Sequence, residues 1–183
     1  MVGTLLVLTP FLVLGWGALT YNRLVSLNNQ VKNAWRQIEV QLRRRHNLIP
    51  NLVEAVKDYM GYEQETLRQV IEARDRAVRA QGGAQAMAEE QALTGALGRL
   101  FALVENYPEL KAHENVRGLM EELTSTENRI AFARQFYNDS VMALNNAIQS
   151  FPSNLIASLF RFEEARYFEL PEVERAVPRV DLR

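Results

Sequence analysis

The sequence contains no cysteine. This excludes disulfides, thiolate metal sites, a cysteine nucleophile and a lipidated cysteine anchor. Histidine is nearly absent as well, with His46 and His113 alone. Neither stands in a His-Glu-x-x-His zinc helix. Neither follows a carboxylate by three positions, because Arg43 and Leu110 occupy those places. The Glu-x-x-His pairs of a di-iron carboxylate bundle are therefore missing. A glycine-rich phosphate loop and a serine-nucleophile elbow are also absent. We expect no catalytic residues, no cofactor and no metal site. Excess charge of one sign is lacking too: 21 Lys+Arg stand against 22 Asp+Glu, which gives no overall attraction to nucleic acid.

What is present begins with a charge-free run. From Val2 to Tyr21 there is no charged residue, and the first is Arg23. Twenty residues at a helical rise make about 30 Å, the thickness of a hydrocarbon core. Trp16 and Tyr21 lie toward its far end, where amphipathic rings favour the membrane interface. Pro10 falls mid-run, which a membrane helix tolerates with a kink. A cleaved signal peptide would need a basic leader and a small-x-small cleavage site. Gly15-Trp16-Gly17-Ala18 is a poor one, and no Lys or Arg precedes the run. The prediction is a transmembrane anchor over residues 1–21. Residues 22–51 then carry six bases (Arg23, Lys32, Arg36, Arg43, Arg44, Arg45) against the single acid Glu39, while residues 52–183 carry 15 bases and 21 acids. By the positive-inside rule the N-terminus lies outside an inner membrane and the remainder is cytoplasmic.

After the anchor, apolar periodicity predicts long helices. From Asn22 to about Met60, Val31, Trp35, Ile38, Leu42, Arg45, Ile49, Leu52, Val56 and Tyr59 step alternately by four and three. Pro50 should kink or break this helix near Asn47–Pro50, and Gly61 should stop it. A second helix from Glu63 to about Arg79 has Leu67, Val70, Ile71 and Val78 as its apolar side. A third runs from Ala84 to about Asn106 with Leu93, Leu97, Leu100, Phe101 and Val104, closed by Tyr107-Pro108. From Ala112 to Ser150 the seam is Val116, Met120, Leu123, Glu127, Ile130, Arg134, Tyr137, Val141, Leu144 and Ile148. Pro152 ends that helix, a short helix capped by Ser153 follows within 153–162, and residues 163–183 form an extended tail. Gly82-Gly83 decides the topology: a hairpin there gives four helices, a bend gives three of about 60 Å each.

Charge at seam positions is the unusual feature. Arg43, Arg44 and Arg45 fan around the helix at 100° intervals and form no stripe, so Arg43 and Arg44 read as a solvated basic face. Arg45 lies on the seam, as do Glu127 and Arg134. Charges at core positions need partners. The expected arrangement is an internal network in which Glu127 bridges Arg45 and Arg134 and fixes helix register; the alternative is that all three splay outward. Asn128, Asn138, Asn145 and Asn146 are expected at the surface, although they could satisfy buried backbone.

These residues carry a family resemblance. The segment Arg44-Arg45-His46-Asn47-Leu48-Ile49-Pro50-Asn51-Leu52-Val53 resembles the LemA family of bacterial membrane proteins. So do Thr126-Glu127-Asn128-Arg129-Ile130-Ala131 with Tyr137-Asn138, and Phe151-Pro152-Ser153-Asn154-Leu155-Ile156-Ala157; Tyr167-Phe168 also fits. The resemblance implies an all-α chain, an N-terminal transmembrane helix followed by an up-and-down four-helix bundle over 22–162, and so favours the hairpin at Gly82-Gly83. It implies no enzymatic activity and no catalytic residues. Some relatives are associated with shaping internal bacterial membranes. The function expected is a membrane-anchored scaffold or adaptor. Its partners are the lipid bilayer through residues 2–21 and unidentified membrane or cytoplasmic proteins, with homo-oligomerisation possible and nucleic acid excluded. A membrane-remodelling protein is the alternative, and a ligand-binding bundle or enzyme the third reading.

Overall fold

In a computed structural model the described residues are 2–80 and 83–168, with backbone alone for 2–9 and 83–84. They are all-α: the elements are α1 (Val2–Val56), α2 (Gln64–Arg79), α3 (Gly83–Val104), α4 (Pro108–Ala112), α5 (Glu114–Gln149) and α6 (Ser153–Leu159), with no strand among the described residues. The chain divides into two compact units. One comprises Met1–Ile38 with Phe132–Arg183, the other Glu39–Ala131. Both α1 and α5 lend residues to each.

In the unit of Glu39–Ala131, the second part of α1, the start of α5 and all of α2 and α3 share one core. Ile49, Leu52 and Val56 meet Leu67, Val70, Ala73 and Ala77, then Leu93, Leu97, Leu100 and Val104, with Val116 and Leu123 from α5. In α1, α3 and α5 these buried residues lie on the predicted seams, as burial of one helix stripe requires, whereas in α2 Ala73 and Ala77 join the predicted Leu67 and Val70. Two expected contacts are displaced. Val78 is exposed and the smaller Ala77 takes the buried place. Tyr59 is also exposed, because α1 ends at Val56 and Met60 is buried in its stead. α2 packs on α3; Gln81 and Gly82, on which the choice between hairpin and bend falls, lie outside the described residues. Pro108 begins a short helix at its first turn instead of closing the preceding one, a position where its missing N–H has no bond to lose.

Of the kink or break predicted at Pro50, the break does not occur, since α1 runs unbroken to Val56. Proline at position 50 cannot donate to the carbonyl of His46, four residues back. The guanidinium of Arg74 on α2 fills that role, with Nε 3.2 Å from His46 O. A tertiary hydrogen bond thus satisfies the acceptor that the proline abandons.

In the other unit, α1 and α5 pack through Val31, Val141 and Leu144, flanked by Leu27, Tyr137 and Ile148. Trp35 contributes an edge-on contact to Tyr137 at 5.5 Å between ring centroids. α6 lies against the early turns of α1: the Tyr21 ring meets Phe160 at 4.6 Å and Phe162 at 5.8 Å, and Ile156 reaches Gly17. Arg161, at φ 55°, reverses the chain after α6. Phe162 N–H then donates to Ala157 O and Arg161 N–H to Ser158 O, the paired bonds of a Schellman closure. Side chains are described from Pro10 onward, so the predicted anchor over 2–21 lies partly outside the described residues. Among those that are described, no helix is long and apolar enough to cross a membrane.

Candidate functional site

The seam of α1 places Arg45 in the interior of the Glu39–Ala131 unit, where its side chain is wholly buried. Burying a guanidinium without partners would be prohibitive, so its acceptors define the site. Nη2 is ion-paired to Glu90 Oε2 and also donates to the Glu90 backbone carbonyl at 3.3 Å. Nη1 is ion-paired to Glu127 Oε1 and donates to Thr94 Oγ1 at 2.9 Å. Thr94 in turn donates its hydroxyl to the carbonyl of Glu90, one turn back on α3, at 3.1 Å. Three helices are therefore tied to one side chain: α1 through Arg45, α3 through Glu90 and Thr94, α5 through Glu127.

His46 adds a fourth group. Its Nε2 stands 2.8 Å from the remaining Glu90 oxygen, a close contact without the alignment of a well-directed hydrogen bond. Burial pushes the Glu90 carboxyl up, but His46 and the Arg45 charge together outweigh it and hold Glu90 below its usual 4.5. Two carboxylates face one guanidinium here. Arg44, the next residue, behaves differently. It reaches Glu122 at 2.6 Å, with both side chains largely in solvent.

Of the three seam charges named from sequence, Arg45 and Glu127 are paired with one another. Arg134 falls in the other unit, where its guanidinium lies 4.7 Å from the centroid of the Phe168 ring. The residue missed was Glu90. Its signal was available, because Glu90, Leu93, Leu97, Leu100 and Val104 step by three and four, which puts a charge on the α3 seam.

The other unit is joined by amides instead of ions. Asn138 Nδ2 donates to Phe168 O at 3.1 Å while its Oδ1 accepts from Phe168 N–H at 2.7 Å. Asn145 repeats the pattern on Ala165, with both bonds 2.9 Å. Seven helical residues advance about 10.5 Å. Three extended residues advance about 10 Å, so two asparagines seven apart can each clamp the tail at residues three apart. Tyr137 completes the ladder by donating to Arg166 O at 2.9 Å, and burial pushes its hydroxyl pKa up. The expectation of surface asparagines is corrected for Asn145, which is buried, and for half-buried Asn138; Asn128 and Asn146 are exposed. Residues 163–168 of the predicted tail form no helix or strand, and residues 169–183 lie outside the described set.

Chemically, neither arrangement presents a reactive group to a ligand. The carboxylates of the ionic cluster are taken up by Arg45 and His46, and no group of His, Asp and Glu among the described residues could hold a metal ion. An open groove of about 600 Å³ runs along α1 past Asn22, Ser26, Asn29 and Asn33 to Phe136. It is lined by neutral side chains that can hydrogen-bond but cannot act as general acid or base.

The fold and its cluster define a class: an all-α chain built on two long helices, with an arginine of one paired to a carboxylate of the other and to one of a shorter helix. The LemA family model matches residues 34–182, and the chain belongs to that family. The chain is 30% identical over 175 residues to the magnetosome protein MamQ 2 of Paramagnetospirillum magneticum, covering 81% of this chain and 64% of the relative. The magnetosome protein MamQ of Magnetospirillum gryphiswaldense is 29% identical over 174 residues with the same coverages. Protein LemA of Metamycoplasma hominis is 25% identical over 158 residues, 84% of this chain and 71% of the relative. The chain thus spans less than two thirds of the length of the MamQ proteins.

Proposed function

We propose that this protein is a membrane-tethered helical scaffold that organises protein partners at the inner membrane, without catalysis of its own. The observation that carries the tether is the surface of early α1, where Phe11, Leu12, Val13, Leu14 and Leu19 are all exposed. Such a contiguous apolar surface needs a non-aqueous partner. From Pro10 to Tyr21 alone the run makes about 18 Å of helix, too short to span. The proposed span therefore includes residues 2–9, uncharged in the sequence. The basic flank over 22–51 orients the remainder to the cytoplasm, and an up-and-down bundle of long helices then stands at that face. Relatives named as magnetosome proteins support work at a specialised bacterial compartment.

The scaffold part of the reading is supported by the ionic cluster. Charges that satisfy one another across three helices make a rigid body, not a site for turnover. Extraction with alkaline carbonate should leave the chain in the membrane fraction. Purification in mild detergent should then recover it with a partner or as an oligomer; a bare monomer throughout would contradict the scaffold.

A further inference from the structure

We propose that α6 and its flanking residues form a second lipid-contacting element, lying in the bilayer interface beside the end of the anchor. The inference rests on the tether proposed above. Phe151 is 81% exposed, Leu155 58%, Leu159 72% and Phe160 54%. Leu155 and Leu159 stand four residues apart on α6, so their side chains share one face, and Phe151 and Phe160 flank the helix at its two ends. Four large apolar side chains facing outward from a short element form a patch that water does not favour.

Three observations commit that patch to lipid. First, α6 is packed on the anchor itself, through Ile156 at Gly17 and Phe160 at Tyr21. If residues 2–21 span the bilayer, Gly17–Tyr21 lie within about 6 Å of its boundary, and α6 shares that depth. Second, charge is excluded over both packed segments. No charged residue occurs from Ser140 to Phe160, just as none occurs from Val2 to Asn22. The first charges on the two segments are Arg161 and Arg23, both exposed, where guanidinium groups can reach headgroup phosphates. The acids Glu163 and Glu164 follow, and Glu164 is held by Gln149 at 2.9 Å. Third, the Ser153 hydroxyl and the backbone at both ends of the element are bonded within the protein. Ser153 Oγ donates to Ala147 O at 2.7 Å and lies 2.9 Å from Ser150 O, and the Schellman bonds close the carbonyls at the other end. A lipid-facing backbone must be satisfied within the protein in this way. With arginines and glutamates balanced at the rim, apolar contact and not net charge supplies the attraction.

The absence of cysteine permits single labels on the full-length chain. Leu155→Cys, Leu159→Cys, Val13→Cys and Met142→Cys each carry an environment-sensitive fluorophore, in phosphatidylcholine vesicles with or without spin-labelled lipid. Helicity by circular dichroism checks each variant. The expected result is a blue shift and loss of intensity to a shallow spin label at 155 and 159. Label at 142, an exposed apolar position on α5, should stay open to iodide. Quenching at 13 with 155 and 159 as open to iodide as 142 would overturn the inference and leave the tether standing. Shielding of 155 and 159 without lipid quenching, accompanied by copy-to-copy cross-links, would overturn it in favour of a second copy. Absence of lipid quenching at all four positions would overturn the tether and the inference together.

Discussion

The two units hold their helices together by opposite chemistries. In Glu39–Ala131 a buried arginine of α1 pairs with glutamates of α3 and α5, and His46 adds a contact to the first of them. In the unit of residues 1–38 and 132–183, Asn138 and Asn145 clamp the tail with neutral amide bonds. An ion cluster is strong only when complete, because loss of one member leaves a buried charge unpaired. A ladder of neutral bonds fails in smaller steps, each worth about 0.5–1.5 kcal/mol. The first design should therefore be brittle to mutation and to acid, and the second graded and indifferent to pH over the carboxylate range.

The largest effect is expected from Arg45→Ala. It strands Glu90 and Glu127 beside one another and should cost about 3–5 kcal/mol in chemical denaturation. Acid should come next. Because Glu90 is held below its usual 4.5, its stabilisation is complete above that value and is lost as pH falls through the lowered one. Amide protection in α2 and α3 should decline with it in an acid titration, whereas the Ala165 and Phe168 amides should not, since the asparagine clamps hold no titratable group. Asn145→Ala removes both bonds to Ala165 and should cost about 1–3 kcal/mol, with loss of protection confined to the tail. Arg74→Met withdraws the donor from the His46 carbonyl that Pro50 leaves open, and should cost about 1–2 kcal/mol by the same denaturation assay. Arg44→Ala is the smallest. Its pair with Glu122 is solvated, and a change within about 0.5 kcal/mol is expected. Arg44 and Arg45 are adjacent in sequence, so their contrast isolates burial as the cause.

Much of this difference was legible in the sequence. The four-three seams name most of the large buried side chains of α1 and α5, because one helix stripe must face the core whatever its partner. They miss Leu24 and the smaller or polar Ala34, Thr126, Ala133, Ser140 and Asn145. The same rule singled out Arg45 and Glu127 as charges out of place. It failed for Glu90 only because the α3 seam was read from Leu93 onward. Tyr59 and Val78 were misplaced at helix ends, where the stripe no longer constrains the chain. Whether α1 would break at Pro50 or continue through it was not legible, since the compensating donor, Arg74, lies on another helix. Nor was the tail clamp: Asn138 and Asn145 show the spacing, but the extended partner carries no period of its own. The separation of Arg134 from Glu127 into different units lies beyond any local pattern, as both sit on one uninterrupted seam.

Hydrogen exchange on the wild-type chain and Arg45→Ala, resolved along the sequence, tests the contrast most directly. Loss of protection across α2 and α3, with residues 137–168 unchanged, is the expected result. Equal loss in both units, or retained protection in α2 and α3, would contradict the claim that one buried ion cluster holds the first of them.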